Sequence, residues 1–147
     1  VNDIKIRFPS AKVFLIGNSQ GSTSVAYAGK TFGKEIDGVV LSASVFDWAP
    51  PAWRLLYDSN LSDFDFSQIS SPVLFVHHAD DLCVPTPFSS ALKYEGKFPL
   101  LIVRGGDQVR DNGCGPLGPH GFLGREDVVV AEIKNWIFGR PFKTDLK

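Results

Sequence analysis

Four short apolar runs constrain this chain more than any other feature: residues 12–16 (KVFLI), 38–45 (GVVLSASV), 72–77 (PVLFVH) and 99–103 (PLLIV). They are aliphatic and partly β-branched, without a strict polar alternation, which is how strands covered on both faces read. Helix-compatible segments separate them. Residues 20–31 carry small side chains at Ser22, Ser24, Ala26 and Ala28 that would let a helix sit close to a sheet, and 88–94 reads as a second helix. The tail, 124–138, places Val128, Ala131, Ile133, Trp136 and Ile137 at spacings that form one apolar face. Parallel neighbours need crossover connections, so strands alternating with helices predict an α/β fold: a predominantly parallel sheet with covering helices. The one long irregular connection, 46–71, contains Pro50-Pro51 and reads as a short cap.

At 147 residues with 44% hydrophobic content, the chain has the size of a single domain, 1–147. The 15 basic and 16 acidic residues are interleaved and give a formal net charge of −1, so no extended positive field exists to hold a phosphate backbone, and nucleic acid is not an expected partner. No apolar run approaches the roughly 20 residues needed to cross a bilayer, so no membrane span is expected. The chain opens on Val1 and contains no Met, and it is read as the C-terminal portion of a longer polypeptide.

In a parallel sheet, ligands bind beyond the carboxyl ends of the strands, so the residues just past each run hold the greatest functional interest. After the first comes Gly17-Asn18-Ser19-Gln20-Gly21, a G-x-S-x-G pentapeptide between a predicted strand and a predicted helix. A serine on so tight a turn projects its hydroxyl into the cleft, and the crowding calls for glycine on either side, a need met by Gly17 and Gly21. The helix that begins there directs its first N–H groups, that of Gln20 included, toward a point where negative charge can develop on a substrate carbonyl. The third run ends in His77-His78-Ala79-Asp80-Asp81-Leu82-Cys83-Val84-Pro85, and His120 lies in a glycine-rich loop just before the final helix. His77 and His78 have no cysteine or carboxylate at a zinc-like spacing from both, so they read as strand-end supporting groups, with no metal and no cofactor implied.

The order Ser, Asp, His, the elbow GNSQG, the pattern H-x-x-x-D-x-x-V-P at His77, Asp81, Val84 and Pro85, and the histidine loop with its terminal helix together resemble the α/β-hydrolase superfamily over nearly the whole chain. The resemblance implies that Ser19 is a nucleophile, His120 its general base, and Asp81 the carboxylate that fixes the imidazole, with Gln20 supplying half of an oxyanion hole. Asp80 is a close rival for the acid, and Asp47, at the end of the second strand, a third candidate. Phe46, Trp48, Trp53 and Tyr57 could wall an acyl or alcohol pocket, with Trp48 and Trp53 the named substrate contacts. If Asp81 and His120 touch, Cys83 and Cys114 are neighbours, and a disulfide between them would tie the acid loop to the histidine loop. Closing about 32 residues would stabilise the fold by roughly 3–4 kcal/mol and would imply a periplasmic or secreted location.

The implied activity is hydrolysis of a small or medium acyl ester through an acyl-Ser19 intermediate, rising through a pH of about 6–7 as His120 becomes neutral. Amide hydrolysis, thioester hydrolysis and acyl transfer use the same machinery. The alternative is a non-catalytic domain that keeps the fold and grips a ligand or partner. Relatives of this type carry several strands before the elbow strand, including the turn with the second oxyanion donor. That missing N-terminal segment is therefore an expected partner, and the chain alone is expected to be a poor catalyst with an unpaired edge at Val13 to Ile16.

Overall fold

Each of the four apolar runs becomes a strand of one sheet in the computed structural model, which describes residues 1–47 and 59–147. The strands are β1 (Phe14–Asn18), β2 (Gly38–Ser42), β3 (Val73–His78) and β4 (Leu100–Val103), joined by a two-residue β5 (Asp145–Leu146). Among the described residues the sheet has five strands in the order β1-β2-β3-β4-β5, every neighbouring pair parallel. The register sets Phe14 beside Gly38, Val39 beside Val73, Phe75 beside Leu100 and Ile102 beside Asp145. All the strands therefore point their carboxyl ends the same way, which gathers the elbow and the loop after β3 at one edge.

Side chains alternate across a strand, and the alternation divides the core in two. Val39, Leu41, Val73, Phe75, Leu100 and Ile102 pack with Ala26, Phe46 and Phe66 on one face, whereas Val40, Leu74, Val76, Leu101 and Val103 pack with Phe122, Val129 and Leu146 on the other. Such side chains each stabilise by roughly 1.5–3 kcal/mol when removed from water. On the first face an aromatic cluster adds oriented contacts, with Phe75 stacked on Tyr94 at 5.2 Å and meeting Phe66 edge-on at 5.0 Å.

Among the described residues there are four α-helices: α1 (Asn2–Arg7), α2 (Gln20–Phe32), α3 (Phe88–Ala91) and α4 (Glu126–Ile137). Helix α2 lies on the first face through Ser22, Thr23, Ala26 and Gly29. The small-residue face is thus rotated from the expected one: Ser24 is exposed and Ala28 half-buried, and Thr23 and Gly29 take their places. Helix α4 covers the second face through Val129, with Ile133 and Trp136 packed beside it, a stripe at positions i, i+4 and i+7. Val128 and Ala131, expected in that stripe, face solvent.

The second run was expected to extend to Val45, but β2 ends at Ser42 because Ala43 turns to a left-handed φ of 41° while its N–H donates to Val76 O. Residues 88–94 form only one short α turn followed by a 3₁₀ turn, Leu92–Tyr94. The segment expected to form a cap, 46–71, is described at 46–47 and 59–71, where it contributes Leu61, Phe66 and Ile69 to the first core. β1 has β2 as its sole described neighbour, which leaves it as a sheet edge with Ile16 55% exposed.

Candidate active site

β1 ends at Asn18 and α2 begins at Gln20, so Ser19 alone makes the reversal from strand to helix. Its backbone adopts φ 51° and ψ −123°, a conformation that non-glycine residues rarely occupy and that costs on the order of 1–3 kcal/mol. Two backbone bonds hold it there: Ser19 N–H donates to Ser42 O at 2.9 Å, and Ser19 O accepts from Ser22 N–H at 2.9 Å. A Cβ on Gly17 would lie 2.3 Å from Gly21 O and 2.8 Å from a Val25 methyl, so only hydrogen fits at that position. Gly21 differs from the expectation. A Cβ there would meet nothing within 4 Å, so the turn demands glycine before the serine and not after it.

Asp81 sits in the turn that leaves β3, with its side chain fully buried. Burial of a carboxylate has to be compensated by donors, and here they are specific. Oδ1 accepts from Cys83 N–H at 2.9 Å, and Oδ2 accepts from the Thr86 hydroxyl at 2.9 Å and from His120 Nδ1 at 3.0 Å. His120 belongs to a 3₁₀ turn, Pro119–Gly121, and is itself buried. A carboxylate can only accept, so these partners assign the imidazole proton to Nδ1 and leave Nε2 as the acceptor. Nε2 is buried and has no hydrogen-bond partner among the described residues, so the Ser19 hydroxyl is not bonded to it. Asn18 and Gly121, the chain neighbours of Ser19 and His120, line one apolar cleft of about 220 Å³ together with Ile16, Phe122, Val129 and Ile133.

Asp80, the rival acid, is exposed, and its backbone N–H donates to His78 Nδ1 at 3.0 Å. Asp47 lies beyond the end of β2, where its N–H and that of Phe46 both reach Pro85 O. The imidazole of His120 meets Asp81 and neither of these. His77 and His78 are both buried at the end of β3 and are engaged by backbone. His77 Nε2–H donates to Thr86 O at 2.8 Å and lies 3.6 Å from Asp81 Oδ2. Burial holds His77 below its ordinary pKa, against the opposing pull of the Thr86 carbonyl and Asp81, so it serves as a neutral donor. His78 Nε2–H donates to Gly105 O at 2.8 Å.

A disulfide joins Cys83 to Cys114 across 31 positions of sequence, an arrangement compatible with an oxidising compartment. Gln20 is the first residue of α2, and its side-chain Nε2 donates to Ser59 Oγ at 3.4 Å. Phe46 is a core residue, stacked on Tyr94 at 5.6 Å and on His77 at 6.3 Å. Trp48, Trp53 and Tyr57 lie outside the described residues. Thr86 does not stand out in the sequence. Its only signal there is a hydroxyl just after the Val84-Pro85 pair, five residues beyond the acid. The chain matches no protein-family model, no curated protein and no solved structure.

Proposed function

We propose that the protein is a serine hydrolase of the α/β-hydrolase type, acting on carboxylic esters of small or medium acyl groups. The observation that carries this reading is the buried pair of His120 and Asp81, which leaves the other imidazole nitrogen, Nε2, buried and without a hydrogen-bond partner among the described residues, in a structure where a serine makes the strained reversal from β1 to α2. A buried imidazole acceptor with nothing to accept is costly in a purely structural role, and a nucleophile's proton is what such an atom suits.

In this reading Ser19 Oγ attacks the ester carbonyl carbon while Nε2 of His120 takes the hydroxyl proton. Asp81 steadies the imidazolium that forms. The oxyanion of the tetrahedral intermediate lies against the N-terminus of α2, where the Gln20 N–H is a donor and the helix dipole favours negative charge. The intermediate collapses by breaking the bond to the leaving alcohol, which receives the proton from Nε2. Water then attacks the acyl-serine, again losing a proton to Nε2, and the acid and free Ser19 are released. The strained Ser19 backbone keeps the hydroxyl at the helix start, so little reorganisation accompanies attack.

A fluorophosphonate probe tests the reading. Labelling at Ser19 that disappears in Ser19→Ala, together with hydrolysis of a short-chain p-nitrophenyl ester, supports it. A folded protein that never labels overturns it in favour of a ligand-binding domain.

A further inference from the structure

We propose that Thr86 is a positioning residue of this site: its hydroxyl fixes the face that the Asp81 carboxylate presents to His120. The proposal rests on the hydrolase reading of Ser19, Asp81 and His120. Thr86 is completely buried, and its Oγ1 lies 2.9 Å from Asp81 Oδ2, 3.2 Å from His120 Nδ1 and 3.2 Å from Cys83 O. A hydroxyl has one proton and two lone pairs. With the imidazole proton on Nδ1, the Thr86 proton goes to Asp81 Oδ2, and a hydroxyl lone pair faces Nδ1–H as a second acceptor.

The consequence is geometric. Asp81 Oδ1 is held by Cys83 N–H and Oδ2 by Thr86, so both oxygens of the carboxylate are fixed before His120 is considered. A carboxylate held at one oxygen only can turn about its Cβ–Cγ bond, a soft torsion. Held at both, it offers Oδ2 to Nδ1 in one orientation. The main chain of Thr86 contributes as well. Its carbonyl accepts a hydrogen bond from His77 Nε2–H at 2.8 Å, whereas Asp81 Oδ2 lies 3.6 Å from the same nitrogen. The competing histidine is thereby occupied, and Oδ2 is left to the hydroxyl and to His120. Thr86 thus acts through Asp81 without touching the substrate.

The test compares Thr86→Val, which keeps the side-chain shape and deletes the hydroxyl, with Thr86→Ser, which keeps the hydroxyl and deletes a methyl. Two readouts are taken: ester kinetics, and the downfield proton resonance of His120 Nδ1–H recorded without substrate. Thr86→Val is expected to lower kcat by roughly 10- to 100-fold, the scale of one hydrogen bond to a charged group, with KM unchanged. It should also shift or broaden the Nδ1–H resonance, and Thr86→Ser should restore both. If either readout stays at its wild-type value in Thr86→Val, the proposal is overturned. If Thr86→Val does not fold, a Thr86→Ser protein whose resonance or kcat departs from wild type by as much overturns it equally. The resonance is read in the resting protein, so failure of the hydrolase reading shows separately, as an absence of phosphonate labelling at Ser19.

Discussion

Cys83 is bonded to Cys114, and with that bond the turn that carries Asp81 and the loop that carries His120 become one covalent unit. The link is short on the acid side: Cys83 N–H also donates to Asp81 Oδ1 at 2.9 Å, so the residue that anchors the bridge orients the carboxylate. Reduction should therefore loosen the site as well as the fold. On the chain-entropy model, a bridge spanning 31 positions contributes roughly 3–4 kcal/mol. Intact mass is expected to rise by about 2 Da on reduction, the mass of two hydrogens gained as the bridge opens. Cys83→Ser with Cys114→Ser is expected to lower the Tm by well over 5 °C. An unchanged mass on reduction would show that the bridge is not formed.

The acid can be identified by amide substitution. On the proposed hydrolase reading, Asp81→Asn keeps the shape and removes the charge that a His120 imidazolium would need, and in the best-studied triad the equivalent change costs about 10⁴ in kcat. Asp80→Asn alters an exposed side chain and is expected to leave turnover within a factor of about two. Reversal of this ranking in steady-state kinetics would move the acid to Asp80.

The two glycines of the elbow are expected to behave differently. Gly17→Ala would push a methyl to 2.3 Å from Gly21 O, a clash with backbone that cannot be relieved by a rotamer change. It should destabilise by more than about 2 kcal/mol, or abolish phosphonate labelling through a shifted turn. Gly21→Ala meets open space and a helical backbone, where alanine is favoured over glycine by up to about 1 kcal/mol. Urea unfolding of both variants checks the contrast.

Much of this architecture is legible in the sequence, and the parts that are not have physical causes. β2, β3 and β4 announce themselves because parallel strands covered on both faces must be apolar throughout, so Val39 to Leu41 and Val73 to Val76 leave few alternatives, whereas β1, which reads the same way in sequence, is half-buried with Ile16 exposed. β5 escapes a sequence reading because a two-residue edge strand carries no such pattern, and Asp145 is exposed. α1 escapes it for a related reason: none of its residues is buried, so it has no apolar stripe to read. At the site, Ser19, Asp81 and His120 stand out by residue type and spacing. Thr86 does not, because a threonine's hydroxyl acquires its meaning from what surrounds it after folding.

His77 supplies a prediction about pH. Its folded-state pKa lies below the ordinary value of 6.5, chiefly through burial, so below that pH the unfolded chain binds a proton that the native state resists. Stability from this group is therefore complete above about pH 6.5 and declines as the pH falls, by at most about 1.4 kcal/mol per pH unit. His77→Gln keeps a donor for Thr86 O and removes the titration. The difference in urea midpoint between wild type and His77→Gln is expected to narrow or reverse between pH 7 and pH 5. Parallel pH profiles would show that His77 does not resist protonation.

β1 pairs with β2 alone among the described strands, and Ile16 is 55% exposed beside the apolar cleft that it forms with Val129 and Ile133. An edge strand without a described neighbour on its outer side, flanked by apolar side chains, is a template on which a second chain can add a strand. Ile16→Lys places a charge on that edge, and natural edge strands discourage pairing in the same way. Because the side chain is already more than half in water, the substitution should cost less than about 1 kcal/mol of stability. Light scattering across a concentration series is expected to show wild type associating and Ile16→Lys remaining monomeric at the same Tm. Equal association of the two proteins would place the adhesive surface elsewhere, and a Tm lowered by many degrees would mean that Ile16 is buried by more than its strand neighbours show.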